Sequence, residues 1–250
     1  MFGLSAEVLM LVGVALIAGG IVKGVTGLAL PIVSLAITIN FLAPKTTIAL
    51  LVFPILVTNC WQAFRTGLSF SLFRRFRLLI VLFIIFLVFS ATIVVDLKTD
   101  ILFLCLGAAV TIFAVSNLVK PQRKSLSQYY EKIIGPIAGV CGGLLGGVST
   151  MWGPPITMFL VLLNLDKDEW VRVVALIWFV GSIPLTITYL SNGILNIETI
   201  PLSIYACIPG MIGIFIGENL RKRVEQEKFR KILLCLLFAI GLDLIRRAFI

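Results

Sequence analysis

The sequence predicts an all-α integral membrane protein of two inverted-topology repeats, each a broken glycine/proline hairpin plus three transmembrane helices. Three observations predict it. First, 60% of the residues are hydrophobic, mean hydropathy is +1.11, and charge is confined to short breaks between apolar runs. A soluble domain of this length cannot hide that much apolar surface. Second, two apolar stretches are interrupted by glycines and reach a proline: Gly20, Gly24, Gly27 and Pro31 in one, Gly143, Gly146, Gly147 and the pair Pro154–Pro155 in the other. Third, a shift of 123 residues brings Gly20 onto Gly143, Gly24 onto Gly147, Pro31 onto Pro154 and Thr26 onto Ser149, while Lys45 falls on Asp168. Single matches of this kind are cheap in apolar sequence, but several at one offset argue for two halves of about 120 residues.

Residues 1–119 make the first repeat. Met1–Ala6 has no basic n-region or cleavage site and reads as a short tail. The hairpin 7–39 follows, then spans 47–64, 78–95 and 101–119. Residues 120–132 are a cytoplasmic linker, and 133–250 repeat the plan with hairpin 133–163 and spans 171–190, 200–217 and 232–245. The arms Ile133–Leu145 and Ile156–Leu163 are each too short to cross a bilayer core, which takes about 20 residues. The proline pair between them removes donors and ends or bends a helix. Non-helical backbone at membrane depth survives only where protein or a watery cavity surrounds it, so a broken hairpin lining a solute site is favoured over an ordinary kinked helix.

Charge orients the chain. Loops 65–77, 120–132 and 218–231 are basic and belong in the cytoplasm. The turns 96–100 and 191–199 are poor in base and fall outside. Loops 120–132 and 164–169 then share a side, which requires the segment between them to go in and return. The same count puts both termini outside and leaves Arg246 and Arg247 on the wrong side. The net charge of +9 flanks membrane segments, so it reads as topology signal and lipid contact rather than nucleic-acid binding. The five cysteines lie in apolar stretches without a CxxC pair, which speaks against disulfides and metal sites.

The costliest residue is Lys23, an amine at bilayer depth within GGIVKGVTG. Helix ends and oriented amides favour anions, and a lysine adds a full positive charge. Against this stands a lysine that snorkels to the interface or pairs with an acid. The second hairpin has no charge at its break. It offers Ser149 and Thr150 as hydroxyl donors and Trp152 as a ring or indole N–H. Thr26 and Ser149 either face the solute or satisfy local carbonyls. Asn59, paired at the repeat offset with Ser182, either contacts solute or bonds between helices. The glycines Gly20, Gly24, Gly27, Gly143, Gly146 and Gly147 either pack helices or, with Pro31, Pro154 and Pro155, break them. Asp243 reads as a salt-bridge partner of Arg246 or Arg247. Without histidine there is no Ser–His pair, and HExxH and GxxxxGK[ST] motifs are absent too, so no enzyme is expected and no cofactor is implied.

The two hairpins, GGIVKGVTGLALP and CGGLLGGVSTMWGPP, resemble those of the TauE/SafE family of sulfite exporters, also called TSUP permeases. The resemblance covers nearly the whole chain. Gly20, Gly24, Gly27 and Pro31 match the first family motif; Gly143, Gly146, Gly147 and Pro154 match the second. Leu28, Ala29 and Leu30 stand where the first motif is often richer in glycine, and Ser149, Thr150 and Trp152 where the second usually has small residues. The resemblance implies a multi-pass permease of the cytoplasmic membrane that moves sulfite, thiosulfate or an organosulfonate, driven by an ion gradient. A passive anion channel and a non-transporting membrane scaffold are the alternatives. The expected partners are a small anionic solute and membrane lipids, with no nucleic acid; a homodimer stays open.

Overall fold

The computed structural model describes residues 5–118, 126–163, 165–220 and 226–249. Most of those residues are helical, without a strand among them. In order come α1 (Ala6–Thr26), α2 (Leu30–Thr38), α3 (Pro44–Thr66), the single-turn α4 (Phe70–Arg75), α5 (Arg77–Ile93) and α6 (Thr99–Leu118). The second half runs α7 (Gln128–Ser149), α8 (Gly153–Leu162), α9 (Lys167–Ser191), α10 (Thr199–Leu220) and α11 (Gln226–Arg247). Among the described residues, five helices are long and apolar enough to cross a membrane: α1, α3, α7, α9 and α10. Rows of large apolar side chains remain exposed, such as Ile204, Ile208, Ile212 and Phe215 on α10 and Leu78, Val81, Ile85 and Phe89 on α5. Unbroken apolar surface of that extent suits lipid rather than water.

The hairpins differ from expectation in their proportions. Each has one long and one short arm. The arm expected at Ile133–Leu145 is the 22-residue α7, with Pro136 tolerated inside it, and only α8 is short, at 10 residues. Likewise α1 has 21 residues and α2 has 9. The breaks therefore fall later than the glycines suggest, at Gly27–Ala29 and Thr150–Trp152. Gly20, Gly24, Gly143, Gly146 and Gly147 lie within continuous helix. Most of them are packing glycines. A Cβ added to Gly143 would sit 2.6 Å from the Phe83 carbonyl oxygen of α5, and one added to Gly24 would sit 2.5 Å from the Ile214 oxygen of α10. Gly20 meets Gly210 and Gly213 in the same way, and Gly147 meets Leu87 and Ser90. Small residues let backbones approach closely, which is how helices associate where apolar burial gives no drive.

These contacts follow the 123-residue offset. The starts of α2 and α3, residues 30 and 44, move onto those of α8 and α9, residues 153 and 167. The pairing of α1 with α10 becomes that of α7 with α5, while α3 with α9 and α6 with α11 pair across the halves.

Side-chain bonds gather the loops into two ends. At one end Arg75 donates to Glu131 through Nε (2.8 Å) and Nη2 (3.0 Å), and to Glu169 through Nη1 (2.8 Å); Arg65 pairs with Glu218. Glu131 lies in the first turn of α7 and Glu169 in that of α9, so α7 and α8 enter and leave at this end. At the other end Lys45 donates to the Val95 carbonyl, Asn192 to that of Ala91 (3.3 Å), and Arg247 to Asn40 Oδ1 (2.7 Å). The Tyr205 hydroxyl reaches the Leu9 carbonyl there (3.3 Å), so α1 and α2 enter and leave at that end. Exposed ion pairs contribute little stability; their value here is positional. Asp243 is bound at 2.8 Å by both Arg246 and Arg247, the salt bridge expected for it. Most of the basic linker, residues 119–125, and the side chains of Asn117 and Asp168 lie outside the described residues.

Candidate functional site

An apolar helix with one lysine must place its amine somewhere. In α1 the lysine stands one turn before the break, where Gly27 takes a left-handed conformation (φ 81°) and its N–H donates back to the Lys23 carbonyl at 2.6 Å. The side chain turns inward, 5% exposed, toward α3. Its Nζ donates to Thr58 Oγ1 at 2.8 Å and to Asn59 Oδ1. Thr58 is free to accept because its own hydroxyl donates to the Pro54 carbonyl, one turn back on α3, at 2.6 Å. One turn further, Gln62 Nε2 lies 3.5 Å from the Gly27 carbonyl. The amine thus binds two neutral acceptors and no carboxylate, and snorkelling to the interface does not occur.

The network continues into the other half. Asn59 Nδ2 donates to the Trp178 carbonyl of α9 at 3.2 Å, where α3 and α9 cross. The Trp178 ring lies 6.3 Å from that of Trp152, which caps α8 at the second break and packs on Phe83 at 5.7 Å. Trp152 is 2% and Thr150 1% exposed, yet Trp152 Nε1 and Thr150 Oγ1 have no hydrogen-bond partner among the described residues. Thr150 is left-handed as well (φ 61°), strained for a β-branched residue.

Of the residues singled out in the sequence, Lys23, Asn59, Thr150 and Trp152 are buried at or near the two breaks and the crossing between them. Ser149 is not free: its hydroxyl donates to the Leu145 carbonyl (2.6 Å) and accepts from the Met151 N–H (3.2 Å), so it stabilises the break. Ser182 similarly donates to the Phe179 carbonyl at 2.7 Å. Pro31, Pro154 and Pro155 occupy the first turns of α2 and α8, where a missing N–H costs least. The side chain of Thr26 lies outside the described residues. Sequence reasoning missed Thr58 and Trp178 as partners. Thr58 carried a signal, a hydroxyl beside a membrane-depth asparagine; Trp178 acts through its carbonyl, which no side-chain pattern reveals.

The model of the family described as sulfite exporter TauE/SafE matches residues 11–244, nearly the whole chain. The chain belongs to the TauE/SafE family. No curated protein and no solved structure matches it. TauE/SafE proteins are membrane transporters rather than enzymes.

Proposed function

We propose that this TauE/SafE protein is a secondary permease that carries a small sulfur-containing or organic anion, of the sulfite, thiosulfate or sulfonate class, across the cytoplasmic membrane by alternating access. In this reading the halves are inverted repeats, since α1–α2 and α7–α8 enter from opposite ends of the bundle, an arrangement common in secondary transporters. The solute sits between the two breaks. Lys23 supplies the positive charge, held by Thr58 and Asn59, while Thr150 and Trp152 donate from the other side. Rocking of one half against the other about the α3–α9 crossing exposes the site to each face in turn.

The observation that carries the reading is the Lys23 amine, buried against neutral acceptors alone. A cation at that depth is expensive unless it is paired, and an arriving anion is the missing partner. The test is uptake of sulfite into sealed vesicles, with and without an imposed pH difference, alongside binding to purified protein. Lys23→Gln should weaken sulfite binding about ten- to a hundredfold, the value of a charge-assisted bond. The exposed Lys98→Gln is the control and should bind normally. Equal effects of the two substitutions would remove Lys23 from the site, and passive, non-concentrative flux would make the protein a channel.

A further inference from the structure

Resting on the permease reading above, we infer that the site takes a singly charged oxyanion and discriminates against doubly charged ones. The carried form of a sulfur oxyanion is then hydrogensulfite or a monosulfonate. Sulfate and thiosulfate, both dianions at neutral pH, are refused on charge rather than shape, which narrows the solute class proposed above.

Charge is the first observation. Among the described buried side chains, Lys23 alone bears a charge. The other described titratable groups on its surrounding elements are engaged or distant. On α1, Glu7 is exposed. Helix α2 has none. On α3, Lys45 is exposed and bound to the Val95 carbonyl, Cys60 is a free thiol, and Arg65 is paired with Glu218 of α10. On α10, Tyr205 reaches the Leu9 carbonyl and Cys207 donates to that of Ser203. On α9, which crosses α3, Glu169 is held by Arg75, Arg172 is exposed, and Tyr189 donates to the Gly147 carbonyl. The site therefore neutralises one negative charge. A second would lie unpaired in a low-dielectric interior, where such charges are strongly disfavoured.

Hydrogen-bond valence is the second observation. Asn59 spends its oxygen on Lys23 and its amide on Trp178. Thr58, Ser149 and Ser182 commit their hydroxyl protons to local carbonyls. Three donors remain: the third N–H of the Lys23 ammonium, the Trp152 indole N–H and the Thr150 hydroxyl. A ligand that engages the lysine and these unspent donors together must present several acceptor oxygens and a single charge. At neutral pH sulfite and hydrogensulfite coexist, so such a site selects between two forms of one solute.

Calorimetry on the purified chain in lipid nanodiscs tests this with perchlorate and sulfate, which share a four-oxygen tetrahedral shape and differ in charge, and with methanesulfonate as a sulfur monoanion. Perchlorate and methanesulfonate should each bind about a hundredfold tighter than sulfate. Both should lose their binding in Lys23→Gln. Sulfate binding as tightly as perchlorate overturns the inference. So does a preference for perchlorate that persists in Lys23→Gln, because that preference would reflect cheaper dehydration alone. Should Lys23→Gln fail to fold, the more strongly hydrated monoanion methanesulfonate decides in wild type: binding as tight as perchlorate supports the inference, and binding as weak as sulfate overturns it. If wild type binds none of these anions and no sulfite either, the permease reading itself falls; sulfite binding with the wrong charge preference sinks only this inference.

Discussion

The two hairpin breaks share a backbone plan and carry opposite chemistry. In each a left-handed residue ends the long arm, Gly27 in one and Thr150 in the other, and its N–H donates back one turn, to the Lys23 carbonyl at 2.6 Å and the Gly146 carbonyl at 2.8 Å. A proline then opens the short arm. The side chains at matching positions diverge. Lys23 corresponds to Gly146, and Ala29 to Trp152. Gly146 has to be small, because a Cβ there would meet the Trp152 side chain at 3.1 Å. The same backbone plan thus breaks the helix at both sites, while the side chains at positions 23 and 146 leave one cation instead of two. Two lysines at one crossing would repel, and the indole takes the room that the second would have needed.

The largest effect should come from the part of the comparison in which the halves are most alike. Gly20 and Gly143 both meet a backbone carbonyl of a facing helix, and backbone cannot swing aside as a flexible side chain can. Gly20→Leu and Gly143→Leu should each separate α1 from α10 or α7 from α5 and cost about 3 kcal/mol or more. Recovery of monodisperse protein after solubilisation measures it, and both variants should be largely lost. If one is recovered normally, the two crossings are not equivalent.

The next effect tests where they differ. Trp152→Phe keeps a ring against Phe83 and Trp178 but deletes the indole N–H. An unpaired buried donor destabilises by roughly 1–3 kcal/mol, so the variant should melt higher than wild type. Its anion affinity should nevertheless fall about tenfold, the worth of one hydrogen bond to a charged group. A higher melting temperature with unchanged affinity would mean that the N–H is merely an orphan.

Much of this was legible in the sequence. The 123-residue offset located both hairpins, and the distribution of arginine located the loops that Arg65 and Arg75 now tie together. Lys23 stood out because charge in an apolar run is costly wherever it lies. The arm lengths were not legible. Glycine was read partly as a break, whereas at Gly20 and Gly143 it marks close approach of another helix, a tertiary fact absent from local pattern. The partners of Lys23 were hidden for the same reason: Thr58 and Asn59 lie 35 and 36 residues away, and Trp178 meets Asn59 through a backbone carbonyl. For Ser149 the sequence left solute contact and local carbonyls open, and its bonds to Leu145 and Met151 are local.

The smallest effect separates backbone from side chain at the breaks themselves. At Gly27 an added Cβ would find only Gln62 Nε2, at 3.9 Å, so space does not forbid a side chain and conformation alone opposes it. Gly27→Thr should therefore cost about 1–2 kcal/mol, the penalty of a left-handed L-residue. Thr150→Gly relieves the same penalty but adds the entropy of glycine, for a net gain of about 0.5–1 kcal/mol. Melting temperatures in detergent should thus move in opposite directions. In the permease reading Thr150→Gly also removes a hydroxyl offered to the solute, so it should bind sulfite more weakly while being more stable. That pairing is expected of strain kept at a working site. A Thr150→Gly protein that is more stable and binds sulfite as well as wild type would show that Thr150 holds the break and nothing else.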